Sequence, residues 1–406
     1  MATATNPSAA LTRRSVLTLG ASSLLLGACG QEPPGDPGSA APDGPELLIG
    51  ASLELTGRGA ALGVLQERAL RITVDQLDAD GVRVGDHRRR VRVDVRDNTG
   101  DAQVAGRHAA EFAAREDVCA MLGGTLAETS AALAETAQQQ RIPFLSLGSG
   151  DGIVQPTAER TYVYKLTPDA HDVARRLAEL VRDQGLRQVA LLASDGLHGR
   201  SGRQAMRAAL RAADVGLSRT GALPATGLDV AAAVRRLTAD ADRPDGVVVW
   251  AGSPDASSAA RELRRSGYDG PLFFDATAVT EETVDSRNVT TMEGAYVVHP
   301  ACLDESTLTN TTTAALARRD FVFRYIEQHG AFSGFAPYAS DAVRLVADAA
   351  GLARSADRGR LRAFLEQQVT EGIAGAYAFS PERHGGMERD SLGVYTVSRG
   401  DWTRVS

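Results

Sequence analysis

The chain has 406 residues, enough for two domains with separate cores. Hydrophobic residues make up 43% and aromatics 5%, as in a soluble globular protein, and the net charge of −7 argues against a nucleic-acid partner. Three cysteines (Cys29, Cys119 and Cys302) form no disulfide framework and no zinc spacing, and seven scattered histidines show no metal-site spacing, so no cofactor is implied.

Residues 1–28 read as an address. Arg13-Arg14 forms a twin-arginine pattern, followed by an apolar stretch of roughly a dozen residues, too short to span a bilayer. It ends Leu26-Gly27-Ala28-Cys29, which resembles the lipobox of bacterial lipoproteins. That resemblance implies a diacylglycerol anchor on Cys29 and an exported protein held at the outer side of the cell membrane. The alternative is a plain secretory peptide with an incidental cysteine. Residues 29–45 are rich in Pro, Gly and Asp and predict a disordered tether.

From Glu46 the pattern alternates strand and helix. Leu47–Leu53 predicts a buried strand, Ala60–Asp78 an amphipathic helix, Val91–Asp97 a strand and Asp101–Glu116 a helix. Val118–Leu122 is a short apolar run ending on Gly123-Gly124. A helix follows, opened by Thr125, Glu128, Thr129 and Ser130 and closed by Arg141 and Pro143. A second strand, Ile142–Leu147, ends on Gly148-Ser149-Gly150. Right-handed connection makes the two strands parallel, so both end at one sheet edge. That edge carries Thr125, Ser146, Ser149 and a helix N-terminus, which suit an anion such as a carboxylate. Ordinary turns of an α/β domain are the alternative.

The rhythm then repeats. Strands are expected at Thr161–Leu166, Gln188–Ala193, Leu217–Leu223, Gly246–Ala251 and Leu272–Phe274, with helices at Asp169–Gln184, Arg200–Asp214, Leu228–Ala239 and Ala256–Ser266. After Met292 come strand Gly294–His299, helices Thr312–His329, Tyr338–Ser355 and Arg358–Gln368, and strands Gly375–Phe379 and Ser391–Arg399. The fold class is α/β, with two doubly wound parallel sheets.

Several landmarks in this order resemble the type I periplasmic binding proteins of ABC importers, in the branched-chain amino acid and amide branch. They are Leu55-Thr56-Gly57 through Gly63, Ile142-Pro143-Phe144-Leu145-Ser146, Tyr164–Pro168, Asp195–Gly199, Glu293–Val297 and Asp341–Leu345. The resemblance runs from about Leu47 to Val405. It implies two lobes closing like a flytrap, joined by three crossovers near Lys165, Asp275 and Gly393. Residues 46–166 and 276–392 would form the first lobe, and 167–275 and 393–406 the second. It also implies a monomer with two partners, a small amino acid or amide-like ligand and an ABC permease.

Carried over by position, the ligand's carboxylate is held at Thr125 and Leu126 in one loop and at Ser146, Gly148, Ser149 and Gly150 in the other. Asp255 takes the ammonium or caps the helix that follows it. His198 stands where the family places an aromatic over the ligand, or is a surface-loop histidine. Thr56 in the first loop is also assigned to the ligand site, Leu62 in the helix after it stands where an aromatic often lines the pocket, and Asp275 joins the site from its crossover. An enzyme reading finds no nucleophile elbow around Ser149 and no dinucleotide fingerprint at Gly196–Gly202. A membrane-tethered sensor built on the same fold is the closer rival.

Overall fold

The computed structural model describes residues 42–224, 230–238, 243–303, 311–367 and 369–405. The address segment, Cys29, most of the tether and the ends of the helix expected over 228–239 lie outside the described residues. The last tether residues are docked, contrary to expectation. The amides of Asp43 and Gly44 donate to the Arg88 carbonyl, and the Asp43 carboxylate accepts from the Arg88 amide. A short hairpin thus finds a partner for its edge.

The first lobe opens with β1 (Leu47–Leu53), α1 (Ala60–Asp80), the hairpin β2 (Val82–Val84) and β3 (His87–Arg89), and β4 (Val91–Asp97). It continues through α2 (Ala102–Ala113), β5 (Val118–Gly123), α3 (Ala127–Gln140), β6 (Phe144–Ser146) and β7 (Val163–Lys165). Five of these strands form a parallel sheet in the order β4-β1-β5-β6-β7. Every residue of β5 is buried, as its unbroken apolar run requires between two helical layers. The chain turns sharply at Gly123, where φ is +130° and an added Cβ would lie 2.1 Å from the Ser52 carbonyl oxygen.

The second lobe takes α4 (Ala170–Asp183), β8 (Gln188–Ser194), α5 (Gly196–Ala212), β9 (Gly216–Leu223), α6 (Val230–Thr238) and β10 (Gly246–Trp250). After these come α7 (Asp255–Arg265), β11 (Leu272–Phe274), α8 (Val289–Met292) and β12 (Tyr296–Pro300). The chain returns to the first lobe with α9 (Thr313–His329), α10 (Pro337–Ala353), α11 (Arg358–Leu365) and the ribbon β13 (Val369–Glu371) and β14 (Ala376–Ala378). It ends on the second sheet with β15 (Leu392–Ser398) and β16 (Asp401–Arg404), giving the order β16-β15-β12-β11-β10-β8-β9.

One expectation is corrected here. The second crossover is not near Asp275, because β12 continues the second sheet parallel to β11. Phe273 stacks on Tyr296 across that pair, with ring centroids 5.6 Å apart. Without β12, β11 would be an apolar edge. The crossing comes after Pro300, and residues 276–300 belong to the second lobe. Asp275 instead opens a short 3-10 turn, its side chain accepting from the Thr277 amide.

Helix α10 locks onto α1 through a 2.7 Å hydrogen bond from the Thr73 hydroxyl to Ser340. Its buried Asp341 gathers the ribbon loop, accepting from the amides of Ile373 and Ala374 and from the Tyr377 hydroxyl. Cys119 and Cys302 are free and buried, and burial pushes both thiols up to about 12.

Candidate functional site

The tips of β1, β5 and β6 face those of β8 and β10 across a cavity of about 320 Å³. Arg58, Leu62, Thr125, Leu126, Glu128 and Ser149 line it from the first lobe. Asp195, His198, Ser253, Asp255 and Thr277 line it from the second, and Phe335 sits beside them. A larger groove of about 560 Å³ lies behind the first lobe, between Val82, Leu352, Phe364 and Val369. No sheet edge with strand tips and helix starts opens into that groove, so the interlobe cavity is the candidate site.

The anion seat expected at the start of α3 exists, but the chain fills it. Glu54, fully buried at the tip of β1, accepts from the Thr125 amide at 2.8 Å and the Leu126 amide at 3.3 Å. The Thr129 hydroxyl also donates to it. This corrects the expectation that the Thr125 and Leu126 amides hold a ligand's carboxylate. The same region is braced by Gln66, whose side chain bonds the Thr125 hydroxyl at 2.7 Å and the Leu147 carbonyl at 3.4 Å.

Across the cavity, Asp255 is the first residue of α7, with Pro254 in the capping position. Its carboxylate makes no hydrogen bond or ion pair among the described residues, so it is not the helix cap. Burial raises its pKa above the usual carboxylate range, and the positive charge of Arg58 partly offsets this. Asp195, before α5, also leaves its helix uncapped by its side chain. His198 pairs with Asp275 at 3.2 Å and lies 3.3 Å from the Thr277 hydroxyl, with its ring 5.9 Å from the indole of Trp250. It is anchored rather than loose on the surface. The second oxygen of Asp275 is buried without a hydrogen-bond partner among the described residues.

Of the residues singled out from sequence, Leu62, Thr125, Leu126, Ser149, His198 and Asp255 line the cavity. Thr56 is turned away, its amide and hydroxyl both bonded to Asp97. Ser146 is consumed in a 2.7 Å bond to the Ser130 hydroxyl. Gly148 is walled in, its carbonyl taken by the Thr167 hydroxyl at 2.8 Å. A Cβ on Gly150 would meet Ala127 at 3.4 Å and the His198 backbone at 3.7 Å, and Gly150 does not line the cavity. Asp275 stands behind His198. Sequence reasoning missed Glu54, Arg58, Glu128, Asp195 and Thr277. An acid at the tip of an apolar strand, as in Leu53-Glu54, was the available signal for Glu54.

Asp169, His171 and Asp172 at the start of α4 bring three ligand atoms within 4.8 Å of one another, a cluster the sequence reading did not pick out. Asp169 is already paired with Lys165 at 2.9 Å. No helix among the described residues is long and apolar enough to cross a membrane.

Residues 46–401 match the family model described as periplasmic binding protein. Among curated proteins, a Leu/Ile/Val-binding protein homolog 7 from Brucella abortus is 22% identical over 369 residues, covering 87% of this chain and 89% of its own length. Among solved structures, an extracellular ligand-binding receptor from Rhodopseudomonas palustris superposes with a TM-score of 0.80 at 21% identity, covering 89% of this chain and 99% of that one. A leucine binding protein from Thermotoga maritima gives 0.75 at 17%, covering 89% and 98%. The LivJ protein of Streptococcus pneumoniae, solved with isoleucine, gives 0.73 at 20%, covering 89% and 100%. These likenesses establish the two-lobed fold.

Proposed function

The chain belongs to the periplasmic binding protein family, and from that premise we propose that it is an exported solute-binding lipoprotein. It closes two lobes on a small amino acid or amide-like molecule and delivers it to an ABC importer. The observation that carries this reading is Asp255, a partly buried carboxylate without a partner among the described residues, facing a cavity sized for a small molecule. A ligand ammonium would relieve its desolvation. Leu62 and Phe335 supply apolar walls. Names of the relatives, which mention leucine and isoleucine, point to the same chemical class. The twin-arginine pattern and the lipobox at Cys29 support export and anchoring.

Thermal melting of the purified chain over a panel of amino acids, amides, amines and short carboxylates tests the binding claim. A true ligand at a hundredfold excess over Kd adds about 2.7 kcal/mol of stability. A panel in which nothing shifts melting overturns it. Loss of labelled-solute uptake on deletion tests delivery to an importer.

A further inference from the structure

The geometry points to a cleft that takes a cationic ligand with a masked or missing carboxylate, an amine or an α-amino amide, in preference to the free amino acid. This deepens the solute-binding reading and rests on it. Two backbone amides and a hydroxyl at the start of a helix of 14 residues are a donor set for one carboxylate. Here Glu54 uses all three: the Thr125 amide on one oxygen, the Leu126 amide and the Thr129 hydroxyl on the other. Each donated proton is spent, so a ligand carboxylate brought to this seat finds no free donor there. It finds the negative charge of Glu54 instead.

The occupant is built in. Glu54 is fully buried, and the end of the first loop and the first turn of α1 pack against it at two glycines. A Cβ on Gly63 would sit 2.1 Å from the Glu54 carbonyl oxygen, and one on Gly59 would sit 3.1 Å from its Cγ. Gln66 ties the Thr125 hydroxyl to the β6 loop behind it. Swinging Glu54 aside would break its three hydrogen bonds to the start of α3.

The rest of the lining agrees. Glu128, Asp195 and Asp255 face the cavity against a single arginine, Arg58, which is exposed at the rim. The carboxylates of Asp195 and Asp255 have no hydrogen-bond or ion-pair partner among the described residues. His198 is held by Asp275 and Thr277. The excess of carboxylates favours positive charge in the ligand. Ser149 is neutral and suits a carbonyl oxygen, which an amide retains after losing its acid.

The test is calorimetry and melting of the purified full-length chain with matched pairs, each amino acid against its primary amide and its decarboxylated amine, starting with leucine and leucinamide. In any pair that binds, the uncarboxylated member is expected to be tighter by about tenfold or more, the factor that one hydrogen bond to a charged group is worth. Glu54→Ala frees the two amides and should narrow or reverse that preference, with circular dichroism checking that the variant folds. The wild-type pairs decide the matter even if it does not. A free amino acid that binds as tightly as its amide, its carboxylate taken up by Arg58, overturns this inference and leaves solute binding intact. If neither member of any pair binds, the inference falls together with the amino acid or amide reading.

Discussion

The Glu128 carboxylate, on the first lobe, accepts a 2.9 Å hydrogen bond from the Leu197 amide, on the second. The first turn of α5 is therefore capped from across the cleft, while its own Asp195 side chain caps nothing. Gly196 makes this possible. Its φ is +89°, and a Cβ there would lie 2.0 Å from Glu128 Oε1. Glu128→Ala should thus loosen the contact between the lobes. Small-angle scattering of the unliganded variant should show a larger radius of gyration, with ligand affinity lower by about 1 kcal/mol, since the contact is only half-buried. An unchanged radius and affinity would mean that the bond forms only incidentally.

In the proposed reading, Asp255 would bear on affinity rather than on folding. With no capping bond to lose, Asp255→Asn should leave stability within about 0.5 kcal/mol of the wild type. It should weaken a cationic ligand by about 2 kcal/mol, near the low end for truncating a charge partner because the site is partly open. Burial raises the Asp255 carboxyl, so it gains its proton at a higher pH than an ordinary aspartate. Affinity for a cation should then fall as pH drops through that raised value. Calorimetry across an acid pH series, wild type against variant, reads this directly.

His299 gives a pH dependence of stability. It is fully buried in β12, its Nδ1 is 3.1 Å from the Pro300 carbonyl, and its Nε2 has no hydrogen-bond partner among the described residues. Burial pushes it down to about 4. Its neutral form is therefore favoured in the folded state. The stability it contributes is complete above the unfolded value of about 6.5 and is lost as pH falls toward 4, at up to about 1.4 kcal/mol per pH unit. Asp341, raised to about 6 mainly by burial, works in the opposite sense over part of that range. The comparison should therefore be with His299→Gln. Denaturant titrations at pH 7 and pH 4.5 should show the wild type losing about 2 kcal/mol more than the variant. Equal losses would remove His299 as the cause.

In the proposed lipoprotein reading, anchoring would turn on one atom, the sulfur of Cys29. Cys29→Ala should move the protein from the membrane fraction to the soluble extracytoplasmic fraction. Persistence in the membrane fraction would discard the lipobox reading. Because one acyl chain binds a membrane only marginally, the diacyl form is needed for stable retention.

The strands β5 and β10 were legible because each is a short, nearly continuous apolar run between turn residues, and β1 because only Gly50 and Ser52 interrupt its run, a pattern that suits a strand covered on both faces. The hairpin β2–β3 was not, since Val82–Arg90 is mostly charged and finds its partners in each other and in Asp43. The same limit misplaced β12. An apolar run such as Tyr296-Val297-Val298 declares that it is a strand, but its neighbour is set by packing against Phe273. At the site, backbone geometry was readable from Gly123-Gly124 and Gly148–Gly150. Which acceptor satisfies the resulting amides was not. Glu54 lies 71 residues from Thr125 in sequence, and only the folded register of β1 beside β5 brings them together.

Lys165 is the only lysine of the chain, and it ends β7 just before the first passage between the lobes. Its ammonium is wholly buried, held by the carbonyls of Thr167 and Pro168 and by Asp169. Apart from the chain terminus, the folded protein therefore offers no primary amine to an acylating reagent. Slow acylation at this single position would time the opening of the joint itself, with no engineered label required.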